Sequence, residues 1–191
     1  MGVSEFTGMR KVTIRDTSTG NTGTFIVKNP EDLSADGFMI ALETNDVTES
    51  SYAGDSVTPV GTNISAATLS VIPHTIEDIG KIFPNGWDAT TGTWQPTVGK
   101  CVLEDVTFAF EKICDTKGNI ILRHAKIAVA FELGISRDDT TVIELKIYPT
   151  LSLGSQYGLA GGLATKLIPF QLFDGVYDPT TDIIDFDNIG S

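Results

Sequence analysis

Two long runs of alternating hydrophobicity constrain the fold of this chain more than any other feature. They span residues 102–133 and are joined by the turn-forming stretch DTKGN at 115–119. Side chains on a strand point alternately to its two faces, so each run predicts a strand with one apolar and one mostly polar face. The apolar positions are Val106, Phe108 and Phe110 in the first run, and Ile121, Ala125, Ile127, Val129, Phe131 and Leu133 in the second, with Arg123 as the exception. The pair predicts a hairpin of about a dozen residues per arm, where strands of about 5–6 residues are usual.

Further β-rich runs flank this hairpin. Candidate strands occupy residues 9–15, 24–28, 37–44, 64–73 and 140–151. Residues 75–83 begin with a capping-box sequence and predict a helix. The polar stretch 45–62 is rich in Gly, Ser, Thr and Asp, and we expect a loop there. The predicted fold class is mainly β: an antiparallel β-sandwich or β-barrel with one flanking α-helix and the long hairpin.

The chain divides into a large β-rich part and a distinct C-terminal part. Its 191 residues suffice for one domain with a sizeable core. Residues 153–191 begin with a glycine-rich stretch and continue with aromatic residues alternating with Asp. We expect residues 1–152 to form the β-domain and residues 153–191 to pack as an arm on their own or a neighbouring protomer.

The charge of the chain is negative and unevenly placed. Its net charge of −12 argues against a protein that grips nucleic acid through phosphate contacts. Residues 29–80 contain nine carboxylates and no Lys or Arg, and residues 171–191 contain five Asp and again no basic residue. Such asymmetry indicates acidic surfaces that act in contacts with other molecules.

The cysteines and the ends of the chain bear on its compartment. Cys101 and Cys114 lie on one predicted strand, too far apart for a disulfide, which fits a reducing cytosol. The first residues lack the apolar core of a signal peptide, and Phe6 stands where a myristoylation signal needs Ser or Thr. The apolar stretch 151–173 is interrupted by Lys166, Pro169 and glycines, so we expect no membrane helix and a soluble intracellular product.

Candidate catalytic and phosphate-binding motifs are incomplete. His74 and His124 have no Ser or Cys motif beside them, and a histidine needs an oriented partner to act as a base. A P-loop between Gly92 and Lys100 fails because the glycines are too far apart and Cys101 stands where magnesium binding needs Ser or Thr. We therefore assign no catalytic and no cofactor-binding residue, and expect the protein not to be an enzyme.

Two weaker ligand patterns also remain incomplete. Asp185, Asp187 and Gly190 fit three positions of a calcium loop, but the chain ends before the bidentate Glu, so we expect a solvated acidic tail and no metal site. Trp87 and Trp94 could cradle a sugar or a base, but a pair of tryptophans near turns more often covers the edge of a core.

The length of the hairpin also bears on whether the protein assembles with copies of itself. A hairpin that extends past its own core exposes backbone groups that need a partner strand. Small residues on its second face, Thr107, Ala109, Ala128 and Ala130, would suit close approach of another strand. The alternative is a single large sandwich whose long strands serve only their own core.

The order of elements resembles the tail tube proteins, or major tail proteins, of long-tailed bacteriophages. The resemblance covers residues 35–152 and rests on the segment ATLSVIPHTIEDIGKIF, the hairpin CVLEDVTFAFEKICDTKGNIILRHAKIAVAFELG and the strand TTVIELKIYPTLS. It implies a β-sandwich with a flanking helix, in protomers that form a ring, expected to be hexameric, whose inner hairpins close into a β-barrel. Rings would stack into a tube, in contact with other tail proteins, through which genomic DNA passes without specific binding.

The resemblance carries further expectations and leaves two alternatives open. It places the protein in the virion tail after synthesis in the host bacterial cytoplasm, with no cofactor and no membrane contact. The lumen would be lined by part of the second face of the hairpin, namely Asp105, Thr107, Ala109 and Glu111 on the first strand and Lys126, Ala128, Ala130 and Glu132 on the second. The shared wall would include Val129. The alternatives are a capsid or tail decoration protein and a carbohydrate-binding β-sandwich that uses Trp87 and Trp94.

Overall fold

The computed structural model describes most of the chain and is mainly β. The described residues are 10–17, 24–27, 33, 38, 40, 42–51, 54–82, 86–95, 102–113, 116–132 and 141–186. The strands are β1 (Arg10–Asp16), β2 (Thr24–Val27), β3 (Leu42–Ser51), β4 (Gly54–Ile64), β5 (Ala67–Val71), β6 (Trp87–Asp88), β7 (Thr93–Trp94), β8 (Val102–Lys112), β9 (Asn119–Glu132), β10 (Val142–Tyr148), β11 (Ser152–Leu153), β12 (Leu167–Ile168), β13 (Gln171–Phe173), β14 (Val176–Asp178) and β15 (Ile183–Asp185). The helix α1 (Ile76–Ile82) and two 3-10 turns, Gly154–Tyr157 and Gly161–Leu163, complete the set.

The predicted fold class is confirmed for the described residues. All strand pairs are antiparallel, and the one α-helix in the described ranges is short. Over the same ranges the main sheet stays open and does not close into a barrel. No helix in the described part of the chain is both long and apolar enough to cross a membrane.

The long hairpin is confirmed and forms the centre of the main sheet, whose order is β2-β1-β8-β9-β10-β5. Strand β8 pairs with β9 on one side and with β1 on the other, along residues 106–112. Strand β9 also pairs with β10 along residues 126–132 and with β13 along residues 119–121. Most of the hairpin is therefore paired within the chain, whereas residues 102–104 of β8 and 122–125 of β9 have no described partner strand on their outer sides, and their pairing with a sister subunit stays a prediction. The hairpin is long because three strands of the same chain pair along it.

Two opposed β-bulges interrupt the hairpin and change the phase of its side chains. Between the pairs Val106–Ala125 and Phe108–Leu122, strand β9 contains one residue more than β8. Between the pairs Leu103–Ile127 and Val106–Ala125, β8 contains the extra residue. The bulge in β9 includes His124, which has a positive φ of 55°. This bulge changes which side chains face the core. Ile120 and Leu122 share the core face with Ala125, whereas Ile121, which the sequence pattern placed on that face, lies on the opposite face.

The inner face of the main sheet carries the larger core. Strands β1, β5, β8, β9 and β10 contribute fully buried side chains, including Val12, Leu69, Phe108, Ile127 and Leu145. Helix α1 and the β6–β7 hairpin cover this face through Ile79 and Trp94. Val129, which the sequence analysis placed in a shared wall, is half-buried and packs against this core.

The predicted capping box at the start of α1 is confirmed. Thr75 Oγ1 accepts a hydrogen bond from the Asp78 N–H at 3.0 Å, and Asp78 Oδ2 accepts one from the Thr75 N–H at 3.0 Å. These two bonds satisfy backbone donors that the first turn of a helix cannot pair internally.

The predicted loop at 45–62 is wrong, because these residues form a long β-ribbon. Strands β3 and β4 pair along their whole length, with an irregularity at Asn45/Asp46 opposite Pro59 and Gly61. The predicted strand at 37–44 is confirmed only from Leu42 onward, since Phe38 and Ile40 are not in a strand and pack against the core. The polar composition favoured a loop, but a two-stranded ribbon forms from backbone pairing and needs no apolar face.

We predict that the bulge at His124 tolerates Gly better than Val. A β-branched side chain at positive φ is strained by about 1–2 kcal/mol, whereas Gly adopts that conformation freely. Both variants lose the imidazole, so their comparison isolates the backbone conformation. Urea unfolding should give His124→Val a lower free energy of unfolding than His124→Gly. Equal stabilities would contradict the strained bulge.

Candidate assembly surfaces

The two histidines have different surroundings, and His124 is held by side chains from two other parts of the chain. His124 Nδ1 lies 2.8 Å from Asp105 Oδ1, and its Nε2 lies 2.9 Å from Gln156 Nε2. Gln156 Oε1 accepts a hydrogen bond from the Leu153 N–H, so its Nε2 donates to His124 Nε2, and His124 Nδ1 carries the proton donated to Asp105. His124 thus links the two bulges to the C-terminal part of the chain. His74 is exposed beside α1, where its backbone N–H donates to Asp78.

The tryptophans cover the edge of the core. Trp87 and Trp94 face each other in the β6–β7 register. Trp94 packs against the larger core, and a Cβ at Gly80 of α1 would lie 2.5 Å from the Trp87 ring. The rings are therefore used within the fold, and both are half-buried.

The remaining motif residues are only partly described. Gly92 has a positive φ in the β6–β7 turn, whereas Lys100 and both cysteines lie outside the described residues. Asp185 is exposed on β15, and Asp187 and Gly190 lie outside the described residues. Within the described ranges no three His, Cys, Asp or Glu side chains are grouped as a metal site would require.

The C-terminal segment, residues 152–186, covers half of the outer face of the main sheet. It forms a second core, whose fully or nearly buried members are Ala109, Ile121, Tyr157, Phe173, Tyr177 and Ile184. Thr107 and Glu111 are also buried beneath it. The expectation that Thr107, Ala109 and Glu111 line a lumen is therefore wrong, because the chain's own C-terminal segment covers them.

Asp182 anchors this segment to the sheet. One of its carboxylate oxygens lies 2.6 Å from Arg123 Nη1 and accepts a hydrogen bond from the Tyr177 hydroxyl at 2.8 Å, and the other lies 3.0 Å from Arg15 Nη1. The Asp182 carbonyl accepts a further bond from Arg123 Nη2. Burial, with the Asp182 carboxylate beside it, raises the pKa of the Tyr177 hydroxyl far above its usual value. Asp182 has a positive φ of 60°, a conformation that these contacts hold in place.

Two buried side chains fix the rest of the segment through backbone groups. The Tyr157 hydroxyl accepts a hydrogen bond from the Arg123 N–H and donates one to the Pro169 carbonyl. Asn119 accepts a bond from the Lys112 N–H and donates one to the Gly175 carbonyl. The signal in the sequence for this docking was the aromatic content of the segment, which required burial but did not specify the face that it would cover.

Glu111 is a buried carboxylate under the same segment. It accepts a hydrogen bond from the Tyr177 N–H at 2.7 Å and forms an ion pair with Lys11 at 3.3 Å. Burial raises the pKa of Glu111 above its ordinary value of 4.5, because these two contacts only partly replace its hydration.

The other half of the outer face is open. On strands β5, β9 and β10 the outward positions include Thr68, Lys126, Ala128, Lys146 and Tyr148, which are exposed or half-exposed. Of the lumen candidates on β9, Lys126 is therefore exposed and Ala128 is half-buried, whereas nothing is described for the side chains of Ala130 and Glu132.

The ribbon of β3 and β4 is the second open surface. Among the described strands neither β3 nor β4 is hydrogen-bonded to any strand other than its partner. Within the described residues the ribbon therefore has two edges without a partner strand, and such edges can pair with another chain.

Comparison with known proteins shows distant similarity in fold only. No family model matches the chain, and no curated protein matches it. Among solved structures the chain is similar to a chain in the cryo-EM structure of the anti-feeding prophage (AFP) baseplate, 6-fold symmetrised, with a TM-score of 0.46 and 10% sequence identity over 77% of this chain and 92% of that chain. We therefore derive the function from this chain's own surfaces.

We predict that Asp182→Asn destabilises the fold by about 2–3 kcal/mol, because the buried Arg123 loses its counter-ion. Asn tolerates the positive φ, so the loss reports the charge and not the backbone. Asp185→Asn, at an exposed carboxylate three residues further on, is the matched control and should change the free energy of unfolding by less than about 0.5 kcal/mol. Equal effects of the two substitutions in urea unfolding would contradict the anchor.

We predict that Glu111→Gln removes a pH dependence of stability. A carboxylate whose pKa is raised by folding contributes stability that is fully present below its unfolded value and is lost as pH rises through its folded pKa. The free energy of unfolding of the unsubstituted protein should therefore fall relative to Glu111→Gln as pH rises from 4.5. Urea unfolding between acidic and neutral pH measures this difference, and Glu77→Gln at an exposed site is the control. A difference that stays constant or changes in the opposite direction would contradict the buried charge.

Proposed function

We propose that this chain is a structural protein of a phage-type tail, which assembles with copies of itself into stacked rings, expected to be hexameric, that form the tail tube. The observation that carries the proposal is the ribbon of β3 and β4, a long pair of strands that pairs only with itself within the described chain. The layout resemblance of residues 35–152 to tail tube proteins supports the same assignment.

The dimensions of the ribbon favour a role between subunits. Its strands are 10 and 11 residues long. At about 3.3 Å per residue each edge of the ribbon is ~33 Å long, which suffices for pairing with a full-length strand of another copy. An isolated two-stranded hairpin is marginally stable in water. A partner that pairs with its edges would stabilise the ribbon, and a second copy of the chain is available in every solution of the protein.

The charge of the chain suits a conduit for DNA. Each protomer contributes a net charge of −12, so a ring of protomers is strongly negative and repels phosphate. A repelling wall allows DNA to slide, whereas a basic wall would bind it. The proposal therefore includes passage of DNA without specific binding, location in the virion tail and contact with other tail proteins.

The surfaces proposed for assembly are therefore different from the long hairpin, which is the surface that the sequence indicated. The long hairpin serves its own core and gives each protomer a rigid central sheet. The ribbon and the open half of the outer face are the surfaces left for neighbours. The proposal includes no reaction and no cofactor, because the histidines, tryptophans and buried carboxylates described above are used in holding the fold.

We predict that purified protein at high concentration forms rings or tubes in negative-stain micrographs, and that shortening the ribbon abolishes them. Thr44 and Thr62 are register partners, so replacing residues 45–61 by Asn-Gly closes the strands with a two-residue turn. The shortened protein should still unfold cooperatively in urea, because the deletion leaves the main sheet and its described core residues in place.

The control is Val57→Thr, which changes a ribbon side chain and keeps both strands. Tubes that persist in the shortened protein would contradict the role of the ribbon. Discrete monomers or trimers of the unsubstituted protein at every concentration would contradict self-assembly and favour a decoration protein that binds a preformed lattice.

A further inference from the structure

An apolar patch lies on the C-terminal segment and faces away from the sheet. Leu151, Leu153, Leu163 and Leu167 are between 45% and 60% exposed. Leu153 and Leu167 are direct register partners in the β11–β12 pair, so their side chains lie on one face. Ser152 between Leu151 and Leu153 is buried and donates to the Arg123 carbonyl, which places both leucines on the side away from the sheet. Gly154 packs against the Leu163 backbone, which brings Leu163 to the same ribbon.

Three exposed lysines lie on the elements that carry or adjoin this leucine patch, namely Lys126 on β9, Lys146 on β10 and Lys166 beside β12. Lys166 is exposed and directly precedes Leu167. Lys126 and Lys146 are exposed on the open half of the outer face, and Lys126 is the register partner of Tyr148, three residues before Leu151. Glu144 lies 3.7 Å from Lys146 and offsets one of the three charges. At the border of the open half, Asp105 is bound by His124.

The acidic ribbon is complementary to this surface in charge. Residues 42–64 contain Glu43, Asp46, Glu49 and Asp55 and no Lys, Arg or His. They also contain leucine, isoleucine and three valines, which can contribute apolar contacts. A chain of net charge −12 repels its own copies at most orientations, so a surface that carries these lysines is the place where an acidic ribbon meets attraction.

We propose that the leucine patch with Lys126, Lys146 and Lys166 is the docking surface for the β3–β4 ribbon of a second copy of this chain. This inference rests on the proposed self-assembly and names the two surfaces that meet in it. Because the surfaces differ, each protomer offers one of each, and the contact is head-to-tail. Such a contact closes into a ring or extends into a filament, depending on the rotation between neighbours.

A charge exchange between two variants tests this pairing. The patch variant carries Lys146→Glu and Lys166→Glu, and the ribbon variant carries Glu43→Lys, Glu49→Lys and Asp55→Lys, which reverses the sign of the ribbon. In each variant alone, patch and ribbon have the same sign, so we expect loss of assembled protein from the pellet in sedimentation. In an equal mixture every patch meets a ribbon of opposite sign, so assembly should return. Lys117→Glu, on the exposed turn of the central hairpin, is the single-charge control for Lys166→Glu and should assemble as the unsubstituted protein does.

The outcomes separate this inference from the proposed function. Loss of assembly in each variant and its return in the mixture would support the docking surface. If the unsubstituted protein assembles and either variant alone still does, or if the mixture of two folded variants stays dispersed, the docking surface is overturned while self-assembly stands. If the unsubstituted protein never assembles, both fail. Circular dichroism of each variant verifies that it is folded.

Discussion

The contact between Asp105 and His124 determines how the two faces of the central hairpin are used. Each strand carries one extra residue at this point, and the two bulges are joined side chain to side chain at 2.8 Å. On the turn side of the bulges both faces of the hairpin are buried, by the larger core and by the C-terminal segment. On the other side the outer face is polar and open at Lys126. The bulges therefore mark the boundary between the part of the sheet that the chain covers itself and the part that it leaves uncovered.

The sequence predicted the elements in which the spacing of apolar residues stays the same along the whole element. The arms of the hairpin, strand β10 and the capped helix α1 all have local patterns that the fold respects. The bulges were not predicted, although Arg123 on the apolar parity was their signal. An arginine at a position that the pattern assigns to the core indicates that the alternation of side chains between the two faces shifts by one residue there. In the structure Arg123 reaches Asp182 on the outer face. A bulge is set by pairing between strands distant in sequence, so a pattern within one strand does not place it.

The candidate surfaces were harder to predict than the fold, because both depend on what the chain leaves uncovered. The ribbon at 42–64 resembled a loop in composition, because its residues are mostly polar and rich in Gly, Ser and Thr. The C-terminal segment visibly required burial, through Phe173, Tyr177 and Ile184, but its docking depends on Asp182 meeting Arg15 and Arg123 from distant strands. The lumen assignment of Thr107, Ala109 and Glu111 was wrong for the same reason, since the cover comes from residues far along the chain.

The geometry of the self-covered sheet also favours one type of assembly over another. A contact of ribbon with ribbon, or of lysines with lysines, would place like charges against each other, and like charges facing each other oppose association. Pairing of the ribbon with the leucine patch and its lysines avoids both contacts and uses each surface once per protomer. A contact between unlike surfaces repeats by a fixed rotation and translation, and repetition of that operation generates rings or tubes. The anchoring of the C-terminal segment by Asp182 thus has a consequence beyond stability, because the segment carries the leucine patch and fixes its position relative to the sheet.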